Sequence, residues 1–227
     1  MVDAGGTSRA YSVWLPSGYD PERRYPVVLL LHGCGSGTNN VPMETRTGGD
    51  AIVVRGTGSD DGCWDADPNG ADVPYVDAIV ADVEQRFCAD KSAIFAVGYS
   101  SGSWLANQLG CIRSDVYRGL ATVAGGKPAG SSCEEGSMAQ VFVHDLDDES
   151  NLIEWSESAR DRLLDINGCD TSLDPVAVDP SPCVSYQGCD PGYPVVWCAT
   201  SGQGHARQDS LAAPAFWKFF QSLLESP

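Results

Sequence analysis

The chain is short of positive charge. Fourteen Lys and Arg stand against 31 Asp and Glu, giving a net charge of −17 and a sequence pI near 4.3. Such a field repels phosphate backbones and anionic membrane surfaces, so neither nucleic acid nor membrane is an expected partner. It suits solubility in an exposed or salty setting. Long apolar runs are also missing. The longest, Val27-Val28-Leu29-Leu30-Leu31, has the length of a strand and not the ~18–20 residues that span a bilayer. Nine cysteines are present, yet no two are spaced as Cys-x-x-Cys, which argues against a zinc ribbon or a thioredoxin-like redox pair. Disulfides formed in an oxidising compartment are the better explanation. The opening Met1-Val2-Asp3-Ala4-Gly5-Gly6 has neither a basic start nor an apolar h-region, so the expectation is a secreted chain whose signal peptide has been removed.

What remains is ordinary globular material. Apolar residues make up 42% and charged residues 20% of 227, which excludes disordered and fibrous classes. No repeat, low-complexity tract or linker divides the chain, so one domain over 1–227, acting as a monomer, is expected. Strands alternate with helices. Tyr11–Leu15, Val27–Leu31, Ala51–Val54, Ala93–Val97, Gly119–Ala124 and Gln140–Val143 read as strands, and the unbroken run at Val27 fits a strand covered on both faces. Asp72 and Pro74 read as a helix start, with Asp72 as the capping side chain. Val73, Val76, Ile79, Val80, Val83 and Phe87 then make one apolar face. Further helices are predicted from Ser100 to about Gly110, over Leu152–Ile166 with a stop at Asn167-Gly168, and from Pro214 onward. Val184–Tyr186 and Val195–Trp197 read as a hairpin. Repeated strand–helix alternation means an α/β domain with a mostly parallel sheet.

Chemistry gathers at strand ends. The strand Ala93–Val97 runs into Gly98-Tyr99-Ser100-Ser101-Gly102, and a helical pattern follows. A nucleophile on so tight a turn needs small neighbours, which the two glycines supply, and the helix N-terminus favours developing negative charge. Ser100 is the candidate nucleophile, against the plain alternative of a Gly/Ser-rich turn. A serine hydroxyl needs a base. Of the three histidines, His205 follows the last predicted strand in the glycine-rich Ser201-Gly202-Gln203-Gly204, on the edge where open α/β sheets bind ligands, and it alone lies downstream of a plausible acid. His32 and His144 are expected to hold loops by hydrogen bonding. The acid belongs after Gln140–Val143, where Asp145, Asp147 and Asp148 all lie; spacing leaves the three open, and the two not used are expected to be solvated. An oxyanion hole needs two backbone amides. Ser101 is one candidate, and Cys34, within His32-Gly33-Cys34-Gly35-Ser36-Gly37, is the other.

Leu31-His32-Gly33-Cys34-Gly35, Phe87-Cys88-Ala89-Asp90, Gly98-Tyr99-Ser100-Ser101-Gly102 and Gly202-Gln203-Gly204-His205 together resemble the secreted feruloyl esterase and poly(3-hydroxybutyrate) depolymerase group of α/β-hydrolases. The likeness runs from about Arg9 to Phe220. Asn167-Gly168-Cys169 and Tyr186-Gln187-Gly188-Cys189 are similar to the feruloyl esterase side. The resemblance implies an α/β-hydrolase fold with helices on both faces of the sheet, and a chain of 227 residues leaves little length for a separate lid domain, so an open cleft is expected. The resemblance also implies a Ser-His-Asp esterase of carbohydrate type. The family places its acid at the end of a His-Gly-x-x-Asp motif, so His144-Asp145-Leu146-Asp147-Asp148 implies Asp148, with Asp145 departing from the usual Gly. Ser101-Gly102-Ser103 departs from a frequent Asn-Gly-Gly.

The expected reaction is two-step acyl transfer by Ser100, His205 and Asp148, with the oxyanion on the Cys34 and Ser101 amides and no metal or cofactor required. Feruloyl esters of plant polysaccharide lead the substrate expectation, with acetylated xylan and polyhydroxyalkanoate as rivals. A catalytically dead fold that binds carbohydrate or protein is the reading of another class. Trp64 and Trp104 are candidate stacking contacts for an aromatic acyl group. Asp65-Ala66-Asp67-Pro68-Asn69-Gly70 opens like a calcium loop, but Val76 stands where the closing Glu belongs, so a solvated acidic turn is expected. Strand direction pairs Cys34 with Cys63 at the catalytic edge and Cys88 with Cys111 at the opposite one. Setting Tyr186 against Val195 puts Cys183 across from Cys198, Cys169 is left for Cys189, and Cys133 is the odd thiol.

Overall fold

The computed structural model describes residues 1–35, 37–59, 61–126 and 136–225. A small hairpin, β1 (Val2–Ala4) and β2 (Thr7–Arg9), precedes the main sheet. That sheet contains β3 (Ser12–Trp14), β4 (Tyr25–Leu31), β5 (Ile52–Arg55), β6 (Ala89–Tyr99), β7 (Gly119–Val123), β8 (Gln140–Asp145), β9 (Val176–Ala177), β10 (Val184–Ser185) and β11 (Val195–Thr200). Its spatial order is β3-β5-β4-β6-β7-β8-β11-β10-β9. The six strands from β5 to β11 in that order run parallel, while β3, β10 and β9 are antiparallel additions at the edges.

Side chains of a strand alternate between faces, and both faces here are apolar. Val27, Leu29 and Leu31 of β4 enter one core; Val28 and Leu30 enter the other. Each such burial contributes about 1.5–3 kcal/mol, which is why an unbroken apolar run is stable only at the centre of a covered sheet. Helices α2 (Asp72–Arg86), α3 (Ser101–Ile112) and α4 (Ile153–Ile166) cover the first core. Helices α1 (Met43–Arg46) and α5 (Asp209–Glu225) cover the second, through Met43, Phe216 and Phe220. This is the α/β-hydrolase architecture.

Three expectations about helices and cysteines change. Helix α5 begins at Asp209, so Pro214 lies inside it. Its missing amide falls at only the sixth helical residue, where little of the ladder is lost. Asp72 does not cap α2, whose N-cap is Ala71. Its buried carboxylate instead takes the amides of Ser59 and Asp65 and pairs with Arg9 at 2.6 Å. Among the cysteines, Cys34–Cys63, Cys169–Cys189 and Cys183–Cys198 are bonded as expected. The last follows from the hairpin register, in which Val184 faces Trp197 and Ser185 faces Val196. Cys88 is a free, half-buried thiol, whereas Cys111 is held in a disulfide, so the expected pair between them does not form. The Cys111 sulfur is spent in that other bond, 3.4 Å from the Arg162 guanidinium of α4, while the backbone of Cys88 is held by the Tyr19 hydroxyl and the Tyr25 amide. Cys133 lies outside the described residues.

The order β5-β4-β6 creates a crevice. After β4 the chain departs towards β5, and after β6 it departs the other way towards β7, so the loops leaving β4 and β6 diverge above the sheet. His32–Gly35 leave one strand there and Ser100 leaves the other.

Candidate active site

The β6–α3 turn is built around its glycines. A Cβ on Gly98 would stand 2.4 Å from the carbonyl oxygen of Gly102, and one on Gly102 would stand 2.0 Å from that of Leu31. Ser100 between them has φ 53° and ψ −118°, a conformation side chains rarely adopt. Such strain costs of order 1–3 kcal/mol and persists only where the surroundings impose it. Here Ser100 N donates to Val123 O, and the Ser100 carbonyl receives the amides of Ser103 and Trp104 in α3. The result is a nearly buried hydroxyl, 7% exposed, standing at the head of a helix.

That hydroxyl meets a histidine. Ser100 Oγ lies 2.9 Å from His205 Nε2, and His205 Nδ1 lies 2.8 Å from Asp148 Oδ2. A carboxylate only accepts, so Nδ1 carries the proton and Nε2 presents its lone pair to the serine. Asp148 is wholly buried, and its second oxygen takes the amides of Ser150 and Asn151 at 2.9 Å. The imidazole stacks on Tyr99, whose hydroxyl donates to the His205 carbonyl at 3.3 Å. The arrangement can take a proton from Ser100 and stabilise the resulting imidazolium.

The other two aspartates of the acid loop have separate positions. Asp147 is exposed and accepts the Gly202 amide at 2.7 Å. Asp145 is fully buried, which overturns the expectation of a solvated charge. Burial raises the pKa of its carboxyl, but the Thr200 hydroxyl and the amides of Gly204, Asp147 and Gln203 outweigh this and hold it below the ordinary 3.8.

His32 and His144 hold loops, and their tautomers are fixed by their partners. Gly58 N donates to His32 Nε2 at 3.0 Å, so Nδ1 carries the proton and donates to Gly33 O at 2.7 Å. The Gly33 carbonyl and the Cys34 amide share one peptide plane, so this bond also sets where the Cys34 N–H points. A Cβ on Gly33 would lie 2.5 Å from the Tyr99 ring and 3.3 Å from Ser100 Cβ, which places the Gly33 backbone directly against Ser100. The Cys34–Cys63 disulfide and a bond from Gly35 N to Gly62 O fasten this loop to the β5–α2 connection. His144 donates from Nε2 to Asn151 O at 2.8 Å and meets Ser156 Oγ through Nδ1. Burial lowers the pKa of both histidines and keeps them neutral.

This geometry is accompanied by clear relatives. Feruloyl esterase C of Emericella nidulans is 30% identical over 232 residues, covering 94% of this chain and 84% of that one. The chain belongs to the feruloyl esterase family. It is a carboxylic ester hydrolase. A probable feruloyl esterase C of Aspergillus niger is 29% identical over 236 residues, with 94% and 84% covered. In fold, the chain superposes on the acetyl xylan esterase of Aspergillus awamori with a TM-score of 0.74 at 16% identity, covering 93% of each. No family model matches the sequence.

Within this feruloyl esterase-family site, Ser100, His205 and Asp148 come together, with Ser101 at the first position of α3 and Cys34 in the loop after β4. Trp64 does not join them. It is 2% exposed, stacked on Tyr75 and set against His32, so it backs the site from the core. Trp104 is half-buried on the first turn of α3. The Asp65–Gly70 segment is a turn in which the Asp65 and Asp67 carboxylates accept local amides, from Asp67, Ala71 and Asn69. Two contacts were missed. Tyr99 stands in the Gly98-Tyr99-Ser100-Ser101-Gly102 turn, whose spacing marks the serine and gives its neighbour no role. Asn151, whose side-chain amide lies 3.5 Å from Ser100 Oγ and donates to Ala124 O at 2.8 Å, carries no sequence signal in its loop.

Proposed function

We propose that this chain is a secreted, single-domain serine esterase that hydrolyses feruloyl esters of plant cell-wall polysaccharide. The observation that carries the reading is the unbroken hydrogen-bonded series Asp148–His205–Ser100 on a strained strand-to-helix turn. His205 takes the Ser100 proton as Ser100 attacks the ester carbonyl. The oxyanion rests on the amides of Cys34 and Ser101, the latter an N-terminal helix amide without an intrahelical acceptor. His205 then protonates the leaving alcohol, and water activated by the same imidazole releases the acid. Every role is filled by the chain's own residues. Trp104 is the aromatic proposed to meet the acyl group.

Family membership supports the feruloyl substrate, since the relatives carry that name. Disulfides at Cys34, Cys169 and Cys183 support an oxidising, extracellular setting. Among the described residues no helix is long and apolar enough to cross a membrane. The substrate reading is tested by comparing kcat/KM on methyl ferulate, acetylated xylan and polyhydroxybutyrate. A preference for either of the last two would reject it.

A further inference from the structure

The acid loop grips the histidine loop through three successive backbone amides. Gly202 N donates to Asp147 Oδ2 at 2.7 Å, Gln203 N to Asp145 Oδ2 at 3.1 Å, and Gly204 N to Asp145 Oδ1 at 3.0 Å. Gly202 and Gly204 have φ of 77° and 58°, the left-handed conformation that turns consecutive amides to one side and makes a concavity for an anion. Asp145 fills that concavity from inside the protein. Its Oδ2 also takes the Thr200 hydroxyl at 2.6 Å, at the end of β11, and its Oδ1 takes the Asp147 amide at 3.1 Å. One fully buried carboxylate thus fastens the last residue of β11, the two residues before His205 and the acid loop itself.

Resting on the proposed role of His205 as base, we infer that Asp145 is a positioning residue of the reaction, setting the imidazole through the backbone of the loop that carries it. Asp145 ends β8, paired in register with Thr200 on β11, so the anchor is itself held by the sheet. His205 has no disulfide in its loop and is 24% exposed, so nothing covalent fixes it near Ser100. Four donors converge on Asp145, and a neutral or shorter side chain leaves some of them unpaired in a buried site.

The test uses the full chain with Asp145→Ala and Asp145→Asn, read by kcat and KM on methyl ferulate and by the thermal midpoint. A misplaced base lowers turnover without weakening substrate binding, so Asp145→Ala is expected to lose about 10²-fold in kcat with KM within about two-fold. Asp145→Asn keeps one acceptor oxygen and should retain several-fold more activity than Ala. A further readout is the downfield proton resonance of His205 Nδ1–H, assigned by its loss in His205→Ala; it should shift or broaden in Asp145→Ala. If Asp145→Ala does not fold, Asp145→Asn with Thr200→Val decides the matter, both expected to lower kcat and leave KM unchanged. Wild-type kcat per folded molecule, with an unmoved resonance, overturns the inference. Activity that survives His205→Ala overturns the triad reading instead.

Discussion

The two loops that flank Ser100 are fixed by different means. The His32–Gly35 side is covalent: Cys34 is bonded to Cys63, and His32 locks the Gly33 peptide from behind. The His205 side is ionic: buried Asp145 and exposed Asp147 hold three backbone amides. One reason follows from the chemistry proposed for each side. A backbone amide that stabilises an oxyanion need only stay still, whereas an imidazole must exchange protons with Ser100, water and a leaving alcohol. Arg207 joins the sides, its guanidinium donating to Asn39 Oδ1 at 3.0 Å.

The largest break is expected on the ionic side. Asp148→Asn replaces an acceptor by a group that can present N–H to His205, favouring the wrong tautomer, and should lower kcat by about 10⁴-fold with little change in fold. Steady-state kinetics beside a circular dichroism spectrum check it. Next comes the covalent side. The double variants Cys34→Ser/Cys63→Ser and Cys169→Ser/Cys189→Ser should each lose roughly 2–4 kcal/mol of stability in urea titrations. Only the first should also lower kcat, by about ten-fold, since it alone frees the Cys34 amide proposed to hold the oxyanion. Equal kcat for the two would show that the disulfide at Cys34 serves stability alone.

A smaller effect comes from Gly33→Ala, whose Cβ meets the Tyr99 ring at 2.5 Å. Overpacking of this kind costs about 1–3 kcal/mol, and here it also pushes on Ser100. Thermal midpoint and kcat should fall together. The smallest effect is in pH dependence. His32 and His144 have folded pKa values lowered by burial below 6.5, so the unfolded chain binds their protons more readily. Their contribution to stability is complete above pH 6.5 and is lost as pH falls through their folded pKa values. Asp145, lowered from 3.8, begins to lose its contribution only around that much lower pH. A thermal midpoint that stays flat from pH 7 down to pH 4 would contradict the neutral assignment of the two histidines.

Much of this was legible in the sequence, for identifiable reasons. Gly98 and Gly102 mark the turn because backbone atoms occupy the space a side chain would need, so spacing carries steric information. Val27–Leu31 announced a central strand because a sheet covered on both sides buries five consecutive side chains, and the run is too short for a buried helix. Pairing Tyr186 with Val195 fixed the hairpin register and with it Cys183–Cys198. Other features depend on the direction a side chain takes, which composition does not record. Asp145 looks like any loop aspartate until four donors close on it. Trp64 looks like a surface aromatic in a Gly/Asp-rich loop, yet it packs on Tyr75. Cys88 and Cys111 end two helices on the same face of the sheet, but the second is spent in a different disulfide.

The central claim is that Ser100 carries the acyl group. Its most direct measurement is mass spectrometry of the chain after a serine-directed phosphonate, beside turnover of methyl ferulate by Ser100→Ala. The account predicts a single adduct on Ser100 and no turnover by the variant above background. Turnover by Ser100→Ala, or an adduct on another residue with Ser100 unmodified, would contradict it.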